Sequence, residues 1–163
     1  MTPTRTFTTE TVIDAPAEQV WEVMADMQRW HRWNIYPFRF RSSLTPGARL
    51  WFGPLFPIPF GRIRVVDPGR ELAWGGRVGR LFDVTHGLTL VPLPDGRVRL
   101  VNREHLTGPL IAVIPRAVTP LWCAVIGTFD KGLSHRMLLD STGSAVRRMA
   151  SSPPSESTSS RSR

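Results

Sequence analysis

The stretch Ile13-Asp14-Ala15-Pro16-Ala17-Glu18-Gln19-Val20-Trp21 decides the fold. Before it, Thr6 to Ile13 is rich in β-branched residues and reads as a first strand. The strand runs into Pro16, read as the first helical position, where a missing N–H costs nothing and φ is already helical. Glu18 places negative charge in the first turn, where the helix dipole favours it. Ala17, Val20, Trp21, Met24 and Met27 recur at helical spacing and form one apolar face. The pattern predicts a helix over 16–26 and a second, short one over about 27–33, carrying Trp30-His31-Arg32-Trp33 before Asn34.

Working outward, strands are expected at 37–44, 48–53, 61–67, 70–78, 82–92 and 97–106. Turns separate them at Pro46-Gly47, Asp67-Pro68-Gly69 and Pro94-Asp95-Gly96. The segment Gly53 to Gly61 carries Pro54, Pro57 and Pro59, which remove ladder donors, so it reads as a stiff apolar loop. A long apolar helical segment occupies roughly 109–140. Pro115 and Pro120 interrupt it, so the helix is either kinked or begins properly only near Thr119, with Thr119 as N-cap and Pro120 at the first helical position. In it Leu121, Val125, Phe129 and Leu133 repeat at four-residue steps, with Trp122, Ile126 and Leu138 nearby, and are expected to face the sheet. One domain over 1–140 followed by a disordered Ser/Pro/Arg-rich tail over 141–163 is the expected organisation.

These landmarks have a familiar order. Trp30-x-x-Trp33-Asn34 is followed by Leu44-Thr45-Pro46-Gly47, then by Val65-Val66-Asp67-Pro68-Gly69-Arg70-Glu71-Leu72-Ala73-Trp74. Leu81-Phe82-Asp83-x-x-His86 and Glu104-x-x-x-Gly108 come next. Over Thr6 to Leu139 the chain resembles the START-like (SRPBCC) superfamily of polyketide cyclase/dehydratase and lipid-transport type. The resemblance implies an α+β helix-grip fold, a curved antiparallel sheet wrapped around a long C-terminal helix with an internal cavity. Such cavities bind apolar ligands. The superfamily includes enzymes, lipid carriers, hormone receptors and chaperone co-factors, so it leaves function open. It lends weight to Trp74, His86 and Glu104. The chain departs from the pattern at Thr85, where an acidic or polar residue is usual, at Leu88, where an aromatic is usual, and at the prolines of the last helix.

Alternation assigns faces. Phe82, Val84, His86, Leu88 and Leu90 share one face; so do Val98, Leu100, Asn102, Glu104 and Leu106. Arg97, Arg99, Arg103 and His105 take the other face, which must be solvent, so Asn102 and Glu104 point inward. Leu72, Trp74 and Val78 also point in. A connection pairing Val91 with Arg97 sets His86 opposite Asn102 and diagonal to Glu104; a turn centred near Arg80 sets Trp74 opposite His86. The row has three candidate roles. Its polar groups satisfy one another, they orient a ligand beside a stacking Trp74, or His86 and Glu104 act as acid and base.

Composition narrows the rest. The 163 residues are 41% hydrophobic with a formal charge of +8, almost all arginine, since Lys131 is the only lysine. Arg147, Arg148, Arg161 and Arg163 put part of that charge in the tail, and no nucleic-acid signature accompanies it. Cys123 stands alone and the four histidines lack ligand spacing, so neither a disulfide nor a metal site is expected, and no cofactor is. Met1 to Arg5 lacks a signal-peptide core, and Pro109 to Gly127 carries two prolines; a cytoplasmic protein with no transmembrane span is expected. Trp33, Tyr36, Phe38, Trp51, Phe52, Phe56 and Phe60 cluster around two loops, either as core or as a mouth touching a membrane surface with Arg39, Arg41, Arg49 and Arg62. No hydrolase elbow, phosphate loop or dinucleotide fingerprint is present.

The expected function is binding or transport of a hydrophobic small molecule, a lipid or polyketide-like compound. Its expected contacts are Trp33, Trp74, Phe82, His86, Leu88, Leu100, Asn102, Glu104, Val125 and Phe129. The alternatives are a polyketide cyclase, aromatase or dehydratase-like enzyme with His86 and Glu104 as acid and base, and a peripheral membrane or protein-interaction module. No oligomeric state is assigned.

Overall fold

A computed structural model describes residues 2–34, 39–53 and 58–151. Strand β1 (Thr4–Ile13) leads into helix α1 (Ala17–Ala25) and a 3-10 helix (Met27–Arg32). Strands β2 (Arg39–Arg41), β3 (Arg49–Gly53), β4 (Ile58–Asp67), β5 (Glu71–Val78), β6 (Phe82–Pro92) and β7 (Val98–Thr107) follow. Two 3-10 turns, Pro109–Val113 and Arg116–Val118, then deliver the chain to helix α2 (Thr119–Ser151). The strands form one antiparallel sheet in the order β1-β7-β6-β5-β4-β3-β2, with α2 packed chiefly on β1. The helix-grip arrangement expected above is the observed one.

Local chemistry explains the element boundaries. Pro16 stands one place before the helix, at the N-cap, where its carbonyl accepts from the Gln19 and Val20 amides at 3.1 and 3.2 Å. Thr119 is already helical, so it is part of α2 and not its cap. Pro115 separates the two 3-10 turns, and Pro120 lies in the first turn of α2, where its missing N–H would have had no partner. β4 starts at Ile58 and includes Pro59, so the expected loop over 53–61 is shorter; a register shift at Leu50/Trp51 absorbs the irregular pairing. Helix α2 continues past Asp140 to Ser151, because serine, threonine and glycine weaken a helix without breaking it. The rest of the expected tail, 152–163, lies outside the described residues, as do Tyr36, Phe38 and Phe56 and the side chains of Phe52 and Phe60.

The core has two parts. The larger one centres on Trp30, 1% exposed, whose ring meets Trp33, Phe40, Trp74 and Phe129 at centroid distances of 6.2, 5.0, 5.3 and 4.9 Å. Its indole N–H donates to the Met24 carbonyl at 3.0 Å, so the one polar atom of the ring is satisfied. Leu72, Leu88, Leu100 and Leu133 complete this part. A smaller cluster of Phe7, Val84, Leu106, Ile111 and Ile126 lies farther along the sheet. The buried stripe of α2 is Ile126, Phe129, Leu133 and Met137, while Leu121, Val125 and Leu138 are exposed. Ile126, Phe129 and Leu133 are buried as expected, whereas Leu121, Val125 and Leu138 are not, because a helix drifts off a strict four-residue repeat; steps of three and four track the buried side. Val78, expected to point in, is 61% exposed at the end of β5. Close approach of α2 to Trp33 needs Gly132, where a Cβ would stand 2.7 Å from the Trp33 carbonyl.

Trp30→Ala is expected to destabilise the protein by about 3–5 kcal/mol, because it removes the ring on which four others pack. Trp51→Ala, at a residue 36% exposed, is expected to cost far less. Urea unfolding of both variants checks the contrast.

Candidate functional site

The β6–β7 hairpin sets the geometry of the inner wall. Its loop closes with the Leu93 amide on the Arg97 carbonyl at 2.8 Å, and Gly96 takes φ +83°. The hairpin is therefore centred one residue later than the sequence reading placed it: Pro92 belongs to the strand, paired with Val98, and Val91 pairs with Arg99. The shift is two residues in the pairing sum, so every side chain keeps its face while changing its partner. His86 sits directly opposite Glu104, not Asn102; Asn102 is opposite Leu88. Trp74 pairs with His86 as expected, and on the other side Glu104 pairs with Phe7. One row thus runs Phe7–Glu104–His86–Trp74, and the next runs Thr9–Asn102–Leu88–Leu72.

These two rows are a polar seam between the two apolar clusters. Asn102 is fully buried, and its Nδ2 donates to Asp130 Oδ1 at 2.7 Å and to the Ile126 carbonyl at 3.2 Å. Thr9 Oγ1 donates to the other Asp130 oxygen. Asp130 is 1% exposed and has no cationic partner among the described residues. One step along, Trp122 Nε1 donates to Glu104 Oε2 at 2.6 Å, with the Trp122 ring stacked on Phe7 at 5.1 Å. The His86 ring lies on Trp74, centroids 4.6 Å apart and 10° from parallel. His86 Nε2 and Asn102 Oδ1 are buried without a hydrogen-bond partner.

Burial governs the charge states. It pushes the Asp130 carboxyl above the usual range, against the Thr9 and Asn102 donors. It likewise raises Glu104, against the Trp122 N–H. It lowers His86 to about 4, against the adjacent Asn102 carboxamide. His86 is therefore a neutral imidazole at neutral pH. It is not ion-paired with Glu104, whose carboxyl is engaged by Trp122.

The structure brings together Trp74, His86, Asn102 and Glu104 from the expected set, with half-buried Phe82 at the edge of the smaller cluster. Leu88 and Leu100 are 0% exposed in the closed core, and Trp33 packs on Trp30, Phe129 and the Gly132 backbone. Trp74 already has one face covered by His86, which leaves that face closed to a flat ligand. Val125 lies on the exposed side of α2. Thr9, Trp122 and Asp130 were missed. Asp130 and Trp122 share the Ile126–Leu133 stripe at steps of four, the signal that would have found them once the helix face was drawn correctly. Hollows lined by described residues lie at the surface, on the outer face of the sheet and between α1 and α2. No helix among the described residues is long and apolar enough to cross a membrane.

Residues 4–135 match the family described as polyketide cyclase / dehydrase and lipid transport. No curated protein matches the sequence. Among solved structures, a solution structure from Thermobifida fusca is similar at TM-score 0.65 and 21% identity, covering 81% of this chain and 92% of that one. A hypothetical protein of Helicobacter pylori is similar at TM-score 0.64 and 15% identity, covering 82% and 88%. A norcoclaurine synthase point mutant of Thalictrum flavum, in complex with a transition-state analogue, is similar at 0.62 and 14%, covering 86% and 98%. At these identities the likeness is one of fold.

His86 makes stability pH-dependent. Its folded pKa lies below its unfolded value of 6.5, so its contribution is complete above 6.5 and is lost as pH falls toward 4. The loss is on the order of 3 kcal/mol. Asp130 and Glu104, raised in the folded state, act with the opposite sign, losing stability as pH rises through their folded values. Urea unfolding from pH 7 to 4 is expected to show a smaller acid-side loss for His86→Gln than for the unsubstituted protein. Equal slopes would refute a buried neutral imidazole.

Proposed function

Because the chain belongs to the polyketide cyclase / dehydrase and lipid transport family, we propose that it binds a hydrophobic small molecule, lipid or polyketide-like, between the inner wall of the sheet and α2. One observation carries this function. His86 Nε2 and Asn102 Oδ1 are buried near one another without a well-formed hydrogen bond, in a polar seam flanked by two apolar clusters. A buried polar atom left without a partner costs about 1–3 kcal/mol. A ligand that supplies the missing hydrogen bonds recovers that cost, while its apolar body gains from burial.

The chemistry of the two atoms restricts the ligand. Asn102 Oδ1 only accepts, so it asks for an O–H or N–H. His86 Nε2 donates or accepts according to the tautomer. No arginine or lysine stands on the described part of this wall, and its titratable neighbours are the carboxyls of Glu104 and Asp130. A neutral ligand with a hydroxyl fits better than a carboxylate. Phe82, Trp122 and Ile126 border the seam and offer apolar contact. Binding is favoured over acid–base catalysis because Glu104 is engaged by Trp122 and His86 is a neutral, weakly basic imidazole at neutral pH, with no imidazolium proton to give.

Native mass spectrometry of freshly purified protein is expected to reveal a co-purifying small molecule. In titrations with 2-naphthol followed by tryptophan fluorescence, His86→Leu and Asn102→Leu are each expected to weaken binding roughly tenfold. Naphthalene, which lacks the hydroxyl, is expected to bind the three proteins alike. If 2-naphthol also binds the three proteins alike, the two orphan atoms do not contact the ligand.

A further inference from the structure

The opposite face of the sheet carries a different chemistry. A hollow of about 790 Å³ opens there, bordered by Arg49, Arg62, Arg64 and Arg77, with Asp83 as the one acid among its lining residues. We propose that this hollow binds a phosphate-bearing anion.

Arg49 on β3 and Arg62 on β4 are direct register partners, so their side chains leave the same face from adjacent positions. Like charges directly opposite one another destabilise a sheet. Neither guanidinium has a carboxylate partner among the described residues. Arg62 is held at the rim by donating from Nη1 to the Gly47 carbonyl at 2.7 Å, a contact that fixes its position without neutralising it. Arg64 and Arg77 share a single carboxylate: Arg64 Nη2 reaches Asp83 Oδ1 at 2.7 Å and Arg77 Nε reaches Asp83 Oδ2 at 2.8 Å. Four guanidinium groups therefore surround one carboxylate, and the excess is concentrated on the Arg49–Arg62 pair.

The floor of the hollow is backbone. A Cβ on Gly61 would stand 1.9 Å from the Gly75 carbonyl oxygen, and one on Gly75 would stand 2.0 Å from the Val84 carbonyl oxygen. Glycine is required at both places, and the Arg64 side chain lies directly over Gly75. A tetrahedral oxyanion suits this arrangement, because guanidinium groups grip phosphate through paired N–H donors from several directions. Arg39, Arg41 and half-exposed Trp51 extend the same face toward the sheet edge, and β2 and β3 carry no acid. The phosphate could thus belong to a soluble compound or to a phospholipid headgroup. The hollow lies across the sheet from His86, so it is separate from the apolar site.

The test uses the full chain with pyrophosphate at low ionic strength, followed by calorimetry and thermal melting. Saturable binding is expected, with a rise in Tm. Arg49→Gln combined with Arg62→Gln is expected to weaken binding roughly tenfold or more, whereas Arg103→Gln, exposed but outside the hollow, is expected to leave it intact. Arg49→Glu gives Arg62 an internal partner. It is expected to raise Tm without ligand and to abolish the rise caused by pyrophosphate. Co-sedimentation with phosphatidylcholine vesicles, with and without phosphatidylglycerol, separates the sources. Capture that needs phosphatidylglycerol and is lost in the double variant assigns a lipid headgroup; pyrophosphate binding alone assigns a soluble phosphate. Equal binding by the double variant and the unsubstituted chain, or no binding of either probe, overturns the proposal.

Discussion

A sheet bent around a single helix has more inner wall than one helix can cover, and filling that excess is the constraint on which the rest depends. Trp30 fills it. The ring is supplied by the short helical segment after α1, and it touches aromatic groups from β2, β5 and α2 as well as neighbouring Trp33. Edge-to-face contacts of this kind add to the burial term for large rings. The satisfied N–H at Met24 lets the whole indole enter the core without an orphan donor. The interior of the grip is thereby filled on the Trp30 side.

The seam and the outer hollow are opposite solutions to placing charge. On the inner wall, Glu104 and Asp130 are buried against neutral donors, so desolvation pushes them toward their uncharged forms and keeps His86 neutral. The inner wall can then meet an apolar molecule at little electrostatic cost. On the outer face, arginines stay in water and keep their charge. Asp83 shows the contrast with the inner carboxyls. Desolvation raises it, but the hydrogen bonds from Arg64 and Arg77 outweigh that effect and hold it below the usual range.

Much of the fold is legible from particular residues. Alternation in 82–92 and 97–106 assigned the inward faces of His86, Asn102 and Glu104 correctly, because a strand's side-chain period is a local property. Glycine and proline marked the turns near Pro46-Gly47, Gly69 and Gly96 for the same reason, and each of Gly47, Gly69 and Gly96 has positive φ. The site was less legible. Its partners depend on the residue about which a hairpin turns, and composition does not fix that residue. The Leu93–Arg97 turn moved Glu104 opposite His86. Trp122 and Asp130 entered the site from a helix whose rotation about its axis is set by what it packs on.

The amino-acid order alone determined the succession of elements, the inward sides of β6 and β7, and the basic character of the chain, since all of these follow from short-range periodicity and residue chemistry. Only the tertiary structure decided that Trp74 stacks on His86 and that Glu104 is bound by Trp122. It also decided that Arg49 confronts Arg62 without a counter-charge. Those facts depend on register and on long-range packing. Both are fixed by the global fit of the sheet around its helix, which no local window of sequence contains.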